Sequence, residues 1–215
     1  MKNYTVQPIT YDDARPWIVN KHYAHRMPSI IHAFGLYNGI KIEGVVSYGM
    51  TANNNLNQLN GVKTLELNRL CIDSSNNNAA SFLIGNSLKM LPKGLIIISY
   101  ADTEKNHVGY VYQATNWYYT GLGKPDIEYI KGGRQYHRKN LFDRYGTGSV
   151  ENAVAHGFTP KKVKEKHRYV CFTGTKKHKK NMLSKLPWKI LPYPKGETKR
   201  YDDSAEFLKQ LKLFS

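Results

Sequence analysis

The sequence has little of three features, and each shortage counts against a class of protein. No apolar run approaches the roughly 20 residues of a membrane-spanning helix, and the N-terminus lacks the apolar segment of a secretory signal peptide. The only two cysteines, Cys71 and Cys171, both lie in apolar strand-like stretches, so we expect reduced, buried thiols. These shortages predict a cytoplasmic protein.

Acidic residues are also scarce, because 32 lysines and arginines face only 16 aspartates and glutamates, for a net charge of +16. The excess is concentrated between Lys161 and Arg200, where 14 basic residues and two acids give +12. Such a charge predicts a polyanionic partner, with nucleic acid as the first candidate. An anionic lipid surface is less favoured because no basic helix has a strong apolar face.

The 40% hydrophobic content is sufficient for a folded core, and 215 residues suit one domain with an appendage. We predict a catalytic domain over residues 1–175 and a basic, proline-containing extension over residues 176–215 that ends in a helix. The order of elements predicts an α/β (α+β) fold with a mixed, mostly antiparallel sheet flanked by helices. The predicted strands span residues 4–9, 30–37, 41–50, 62–72, 95–98, 126–130 and 165–173. The predicted helices include 79–91, 149–156 and 202–213.

The most apolar run, residues 95–98, predicts a buried strand whose polar continuation ends at Asp102. Apolar and aromatic residues then recur at helical spacing from Val108 to Tyr119, and Gly121 would end that helix. A buried strand that leads through a carboxylate into a helix is a common ligand site in α/β proteins. Asp102 could be the cap of the following turn or a general base.

Two further clusters carry candidate chemistry. His22, Tyr23 and His25 follow the first helix and could act in catalysis or metal binding, or could simply place cations at a helix C-terminus. Arg69 lies between apolar strand residues. It could form a structural pair with Glu66 or Asp73, or hold an anion such as a phosphate.

The element order also matches the GNAT acyltransferase fold, in which a strand, a loop and a helix N-terminus hold the cofactor pyrophosphate. Here the equivalent loop is residues 73–78, and the amides at the start of the next helix suit an anion. The loop lacks the glycine-rich signature usual in that fold. Candidate cofactor-binding residues are Arg69, Ser74, Ser75 and Ser81.

Several separate motifs, in the same order, resemble the Mom family of bacteriophage DNA adenine-modification proteins. They cover roughly residues 17–194. The motifs are His22-Tyr23-x-His25-Arg26-x-Pro28, Phe34-Gly35-Leu36-Tyr37, Gly44-Val45-Val46-Ser47-Tyr48-Gly49, Glu66-Leu67-x-Arg69-Leu70, Ser99-Tyr100-Ala101-Asp102 and Tyr112-Gln113-Ala114-Thr115-Asn116-Trp117-x-Tyr119-x-Gly121.

The resemblance implies a GNAT-like transferase that adds a carbamoylmethyl-type group to N6 of adenine in phage DNA and so protects it from host restriction. It implies acetyl-CoA as a cofactor and suggests iron or another divalent metal. The family's functional positions fall on His22, Tyr23, Arg69, Asp102 and Tyr112. We therefore predict His22, Tyr23, Asp102 and Tyr112 as catalytic residues and as candidate metal ligands.

The predicted partner is double-stranded DNA with the target adenine flipped out of the helix. Trp117, Tyr118 or Tyr136 could stack on the flipped base. The oligomeric state is open, a homodimer included. The predicted phosphate-contacting residues are Arg134, His137, Arg138, Lys139, Lys161, Lys162, Lys176 and Lys177.

Two other classes of function fit the composition. A GNAT-like acyltransferase that acts on a small-molecule or protein amine would consume acetyl-CoA without DNA. A DNA-binding protein without enzymatic activity would tolerate changes at the four predicted catalytic positions. The polar residues at strand and helix ends favour an enzyme.

Overall fold

The computed structural model of the chain describes residues 1 and 3–196. The helix predicted at residues 202–213 lies outside them, so that prediction stays untested. Within the described part of the chain, no helix is both long enough and apolar enough to cross a membrane.

A single large sheet organises the molecule. Its strands are β1 (Tyr4–Pro8), β2 (His32–Asn38), β3 (Lys41–Gly49), β4 (Gln58–Leu59), β5 (Val62–Ile72), β6 (Ile96–Asp102), β7 (Tyr118–Leu122) and β11 (Lys166–Phe172). They lie in the order β1-β2-β3-β5-β6-β11-β7, with β4 added beside β5. Every described strand pair in this sheet is antiparallel except β5 and β6, which confirms the predicted mixed, mostly antiparallel sheet flanked by helices.

Helices cover both faces of this sheet. The helices are α1 (Tyr11–Lys21), α2 (Ala79–Met90), α3 (Tyr110–Ala114), α4 (Arg138–Tyr145), α5 (Val150–Ala155) and α6 (Lys176–Leu183), with short 3-10 turns at Asn54–Leu56 and Thr103–Lys105. The largest core cluster lies under α2 and α3 and includes Leu36, Tyr48 and Leu83. A capping box between Thr10 and Asp13 begins α1, and this helix packs on the opposite face.

The one parallel pair in the described sheet separates soon after it begins. Strands β5 and β6 are paired only from Thr64 with Ile96 to Glu66 with Ile98. Beyond that point each strand continues without the other, so the two diverge toward their C-terminal ends. The gap between diverging strands is the place where side chains from both faces of the sheet can meet.

A second, smaller sheet is inserted between β7 and β11. It consists of β8 (Asp126–Lys131), β9 (Arg134–His137) and β10 (Thr159–Val163), in the order β10-β8-β9. Together with α4 and α5 these strands enclose their own apolar core. We call residues 126–163 the inserted module. The sequence predicts its first strand and α5, but it does not reveal that the basic segment around residue 134 is a hairpin followed by a helix.

The helix predicted from Val108 to Tyr119 is wrong in length. Only the five residues of α3 are helical, and β7 follows almost at once. Asn116 has a left-handed backbone (φ 59°), which ends the helix. Tyr118 and Tyr119 then pair with β11, in agreement with the preference of aromatic residues for strands.

The described part of the predicted extension packs against the main sheet. Thr175 caps α6, and Met182 is buried against Ile98 and Phe172. Leu191 forms a single antiparallel bridge with Tyr119 at the edge of the sheet. The predicted boundary between residues 175 and 176 stays a prediction.

Candidate active site

The gap between β5 and β6 opens on the sheet face that α1 covers. Side chains alternate along a strand, so Ile98, Tyr100 and Asp102 point to the same face of β6. Glu66 joins this face because it lies opposite Ile98, and Lys166 joins it because it lies opposite Asp102. We use the name crevice for this group of polar side chains where β5 and β6 separate; the other face of the sheet at this point packs in the largest apolar core.

Asp102 is buried at the end of β6 and has a defined partner for each oxygen. Its Oδ1 accepts a hydrogen bond from the backbone amide of Glu104 (3.0 Å), and its Oδ2 lies 3.4 Å from Nζ of Lys166. The cap, one of the two alternatives that the sequence offers, is confirmed, and the role of general base stays a prediction. Asp102 caps the turn at residues 103–105, and its second oxygen faces the crevice.

Tyr112 approaches the same gap from the opposite face. Its hydroxyl is hydrogen-bonded to the Ser99 hydroxyl (2.8 Å), which also bonds the Leu67 carbonyl across the gap (2.8 Å). Burial raises the pKa of Tyr112, with smaller contributions from Tyr23 and Glu66, so its phenol stays protonated. Trp117 is fully buried against Tyr112, and the prediction that it stacks on a DNA base is wrong.

His22 and Tyr23 form the third side of the crevice. Their rings stack with centroids 4.4 Å apart, and the Nδ1 of His22 accepts a hydrogen bond from the Ala24 amide (3.1 Å). Burial and the nearby positive charge of Arg69 lower the pKa of His22 to about 3, so it is a neutral imidazole. Burial raises the pKa of Tyr23, while Lys166 opposes that shift.

Arg69 is engaged with the backbone. Its Nε and Nη2 both donate to the Arg26 carbonyl (3.2 and 3.0 Å), and Nη1 donates to the Asn68 carbonyl (2.6 Å). Burial and Arg26 lower its pKa. Arg69 forms no salt bridge with Glu66 or Asp73, the two partners that the sequence suggests. Asp73 pairs with Lys21, and the Glu66 carboxylate accepts from the Ala52 amide.

Three crevice residues escape prediction as site residues. Burial raises the pKa of the Glu66 carboxyl, which accepts a hydrogen bond from the Ala52 amide (3.2 Å). Burial alone would lower the pKa of Lys166, but Asp102 and Tyr23 outweigh it and the pKa is raised. The ring of His107 packs edge to face on the ring of Tyr23, with the ring centroids 6.4 Å apart. A signal existed for Glu66, a carboxylate within an apolar strand, but not for Lys166, which lies in a run of lysines.

The predicted cofactor-binding serines differ in their surroundings. Ser74 is buried with its hydroxyl against that of Tyr4 (3.0 Å), and it also lowers the pKa of Glu43. Ser75 is exposed, and Ser81 donates to the Asn78 carbonyl (3.1 Å) at the start of α2. No side chain caps the first turn of α2. The amide of Ala79 donates to the Asn76 carbonyl (3.0 Å), so only the following amides of the first turn suit an anionic group.

The four predicted metal ligands do not fit a metal site. Among the described residues, no group of three or more His, Cys, Asp and Glu side chains is arranged to hold a metal ion. One imidazole nitrogen of His22 already accepts a hydrogen bond, and the Tyr112 hydroxyl is bonded to Ser99. Asp102 is paired with Lys166. We therefore derive no step through a metal.

The predicted DNA-contacting residues lie on two surfaces. Arg134, Lys161 and Lys162 are exposed on the inserted module, and Lys176 and Lys177 are exposed on α6. Arg138 is exposed too, with its Nε donating to the Gly148 carbonyl (3.0 Å). By backbone position, His137 ends β9 and Lys139 lies in α4.

Comparison with known proteins agrees with the motifs. The model of the Mom protein family matches residues 3–195, which is nearly all of the described chain. The chain belongs to the Mom protein family. The methylcarbamoylase Mom of Escherichia phage Mu is 31% identical over 214 residues, covering 90% of this chain and 85% of that protein. Family membership confirms the predicted class of function, an enzyme of phage DNA modification that transfers a group.

Solved structures of GNAT acetyltransferases are similar at a lower level. One, from Bacillus cereus ATCC 10987, is 11% identical with a TM-score of 0.43 and covers 80% of this chain and 99% of its own. An acetyltransferase of Bacillus subtilis in complex with CoA is 12% identical with a TM-score of 0.39, and the match covers 80% of this chain and 99% of that protein.

Proposed function

We propose that this chain adds a carbamoylmethyl-type group to N6 of adenine in double-stranded DNA, in the cytoplasm of a phage-infected cell. The family match over residues 3–195 carries this proposal. The crevice adds support, because residues predicted separately from distant motifs, His22, Tyr23, Asp102 and Tyr112, come within electrostatic range of one another or of a shared neighbour.

The crevice provides groups for the proton movements that the reaction needs. The lone pair of an aromatic amine is delocalised into the ring, so N6 must lose a proton as its new bond to carbon forms. We assign Glu66 as the acceptor of that proton, since it lies on the crevice face opposite Ile98 and burial raises the pKa of its carboxyl, which makes the carboxylate a stronger base. Asp102 holds the ammonium of Lys166 beside it, and Tyr112, whose hydroxyl accepts a hydrogen bond from Ser99, is a phenol that stays protonated.

The target base is proposed to leave the duplex before it reaches these groups. The carboxylates of Glu66 and Asp102 lie on a recessed sheet face, whereas N6 in duplex DNA is at the floor of the major groove. Tyr23 offers a ring at the edge of the crevice and is a better stacking partner than Trp117, because Tyr23 is partly exposed.

Two basic surfaces flank the crevice and would hold the DNA backbone. Helix α6 packs on Ile96 and Ile98, on the same sheet face as Asp102, and its lysines point to solvent. On the other side Glu128 of the inserted module lies within electrostatic range of Lys166. Phosphate contacts from both sides would set the position of the duplex without reading its sequence.

An acyl-CoA is the proposed cofactor. The uncapped first turn of α2, with Ser75 and Ser81 beside it, suits its phosphates. A CoA thioester supplies a two-carbon unit. Direct acetyl transfer would form an amide at N6, whereas a carbamoylmethyl group is joined through its methylene carbon, so we derive no step from the thioester.

The test is to express the protein with a reporter plasmid, digest the plasmid to nucleosides and search by mass spectrometry for the modified deoxyadenosine. Wild type should yield it. Asp102→Ala and Tyr112→Phe should lose it while retaining DNA binding. Absence of the modified nucleoside with soluble wild-type protein would contradict the proposal, and loss of DNA binding in both variants would make their role structural.

A further inference from the structure

The segment that carries His22 and Tyr23 has no regular secondary structure of its own. It runs from the end of α1 at Lys21 to the start of β2 at His32, and residues 26–30 are the part that crosses β5 and β3. Catalytic side chains on a loop need support from neighbouring rigid elements to hold their geometry. The support here comes from β5.

A bulge in β5 lies at the point of contact. Ser47 pairs with Arg69 but the next residue, Tyr48, pairs with Leu67, so Asn68 is an extra residue without a partner on β3. A bulge lets successive side chains depart from the strict alternation of a strand. As a result Asn68 and Arg69, adjacent in sequence, both reach the same loop.

The two side chains hold neighbouring carbonyls of that loop. Arg69 grips the Arg26 carbonyl with two of its N–H groups. The Nδ2 of Asn68 donates to the Ser29 carbonyl (2.8 Å), while its Oδ1 accepts from the Ser47 hydroxyl (2.7 Å), which fixes the orientation of the amide.

Strand β3 is shaped to admit the loop. A Cβ atom placed on Gly49 would lie 1.7 Å from the Ser29 carbonyl oxygen, so only glycine allows this approach. The amide of Ile31 then donates to the Tyr48 carbonyl (2.8 Å) and aligns the chain for β2. The loop is thus fixed at three adjacent points, which are the carbonyls of Arg26 and Ser29 and the amide of Ile31.

We propose that Asn68 and Arg69 are positioning residues that clasp the loop at residues 22–29 and so place Tyr23 near Asp102, with His22 stacked on Tyr23. This inference rests on the proposed function for the importance of His22 and Tyr23, but the clasp itself does not. Three of the five N–H groups of Arg69 bond backbone carbonyls. Its main role is therefore on the loop rather than on a cofactor anion.

Hydrogen exchange of the full-length protein tests the clasp without any substrate. Arg69→Lys keeps the positive charge but loses the planar fork, and Asn68→Asp keeps an acceptor for Ser47 but loses the donor to Ser29. Each variant should exchange the amides of residues 22–29 roughly tenfold faster than wild type. Arg168→Lys is the matched control, because Arg168 also bonds backbone, at Thr120, but away from the loop.

Activity and ligand binding separate positioning from binding. In the plasmid assay Arg69→Lys and Asn68→Asp should lose most of the modified deoxyadenosine, while titration with coenzyme A and with duplex DNA gives unchanged affinities. Unchanged exchange at residues 22–29 would overturn the clasp whatever the activity. Faster exchange with wild-type modification would overturn the positioning role, and weaker coenzyme A binding with unchanged exchange would return Arg69 to a cofactor role.

Discussion

The polar crevice and the inserted module are built in opposite ways. The crevice collects side chains from several separate segments of the chain, from His22 and Tyr23 at one end to Lys166 at the other. The module is one continuous segment, residues 126–163, with its own core around Tyr129 and Leu141. One region depends on the register of the whole main sheet, and the other depends mostly on local packing.

Under the proposed function, this difference would assign the chemistry to the crevice and the DNA contacts to the module. The crevice carries two carboxylates with few neighbouring lysines other than Lys166, whereas the module exposes Arg134, Lys161 and Lys162. Substitutions in the crevice should therefore change the reaction with little effect on DNA affinity. Substitutions in the module should do the reverse, and each prediction below can break that division.

The largest effect is expected at Glu66. Glu66→Gln removes the proposed base, so modification of plasmid adenine should fall by roughly 10²–10⁴-fold. The same change should make the fold more stable at neutral pH. Burial raises the folded-state pKa of Glu66, so its ionised form is a cost that vanishes as the pH falls through that pKa.

Urea unfolding at neutral pH and at about pH 4 measures that second effect. At neutral pH the free energy of unfolding should be larger for the variant than for wild type. This difference should be smaller at about pH 4. DNA affinity should stay unchanged. A variant that retains full modification would remove Glu66 from the role of base. A variant that is destabilised at neutral pH would contradict the predicted cost of the buried, ionised carboxylate.

Some parts of the crevice can be predicted from the sequence and others cannot. Val62 to Ile72 was predicted with the bounds that β5 has, because its β-branched and alternating residues lie between two polar loops. Asp102 stands out as the carboxylate at the end of a buried strand, and the family motifs add Tyr112. Lys166 could not be found, since only the antiparallel register of β11 with β6 places it opposite Asp102.

A long-range strand pairing explains the main error in the predicted fold. The spacing from Val108 to Tyr119 suits a helix, yet Asn116 adopts a left-handed backbone and the hydroxyl of Tyr119 reaches Nδ1 of His167 (2.9 Å) on β11. Pairing with a strand almost 50 residues away decided the outcome, and no local pattern records it. The bulge at Asn68 escaped for the same reason.

A smaller effect is expected from Leu141→Ala in the module core. Leu141 is 1% exposed between Tyr129 and Phe158, and its truncation should cost about 2–5 kcal/mol. Because the module has a core of its own, hydrogen exchange should rise within residues 126–163 while β5 and β6 keep their protection. DNA affinity should fall with it.

Leu83→Ala is the matched control, since Leu83 is fully buried in the main core under α2. Leu83→Ala should increase the hydrogen exchange of the main sheet, including β5 and β6. If Leu141→Ala also releases β5 and β6, the two regions unfold as one unit, and the contrast between local and long-range construction is wrong.

The smallest effect, and the most direct test of the division, is expected from Arg134→Ala. Arg134 is exposed on β9, so its loss should leave stability unchanged and weaken DNA binding by one phosphate contact. Fluorescence anisotropy with a labelled duplex between about 50 and 200 mM salt should show the slope of log affinity against log salt reduced by about 1. Lys89→Ala removes the same charge from α2, on the opposite face of the main sheet, and should leave the slope unchanged. Equal slopes for both variants would mean that the module does not hold the phosphate backbone, because a delocalised positive field would respond to either charge alike.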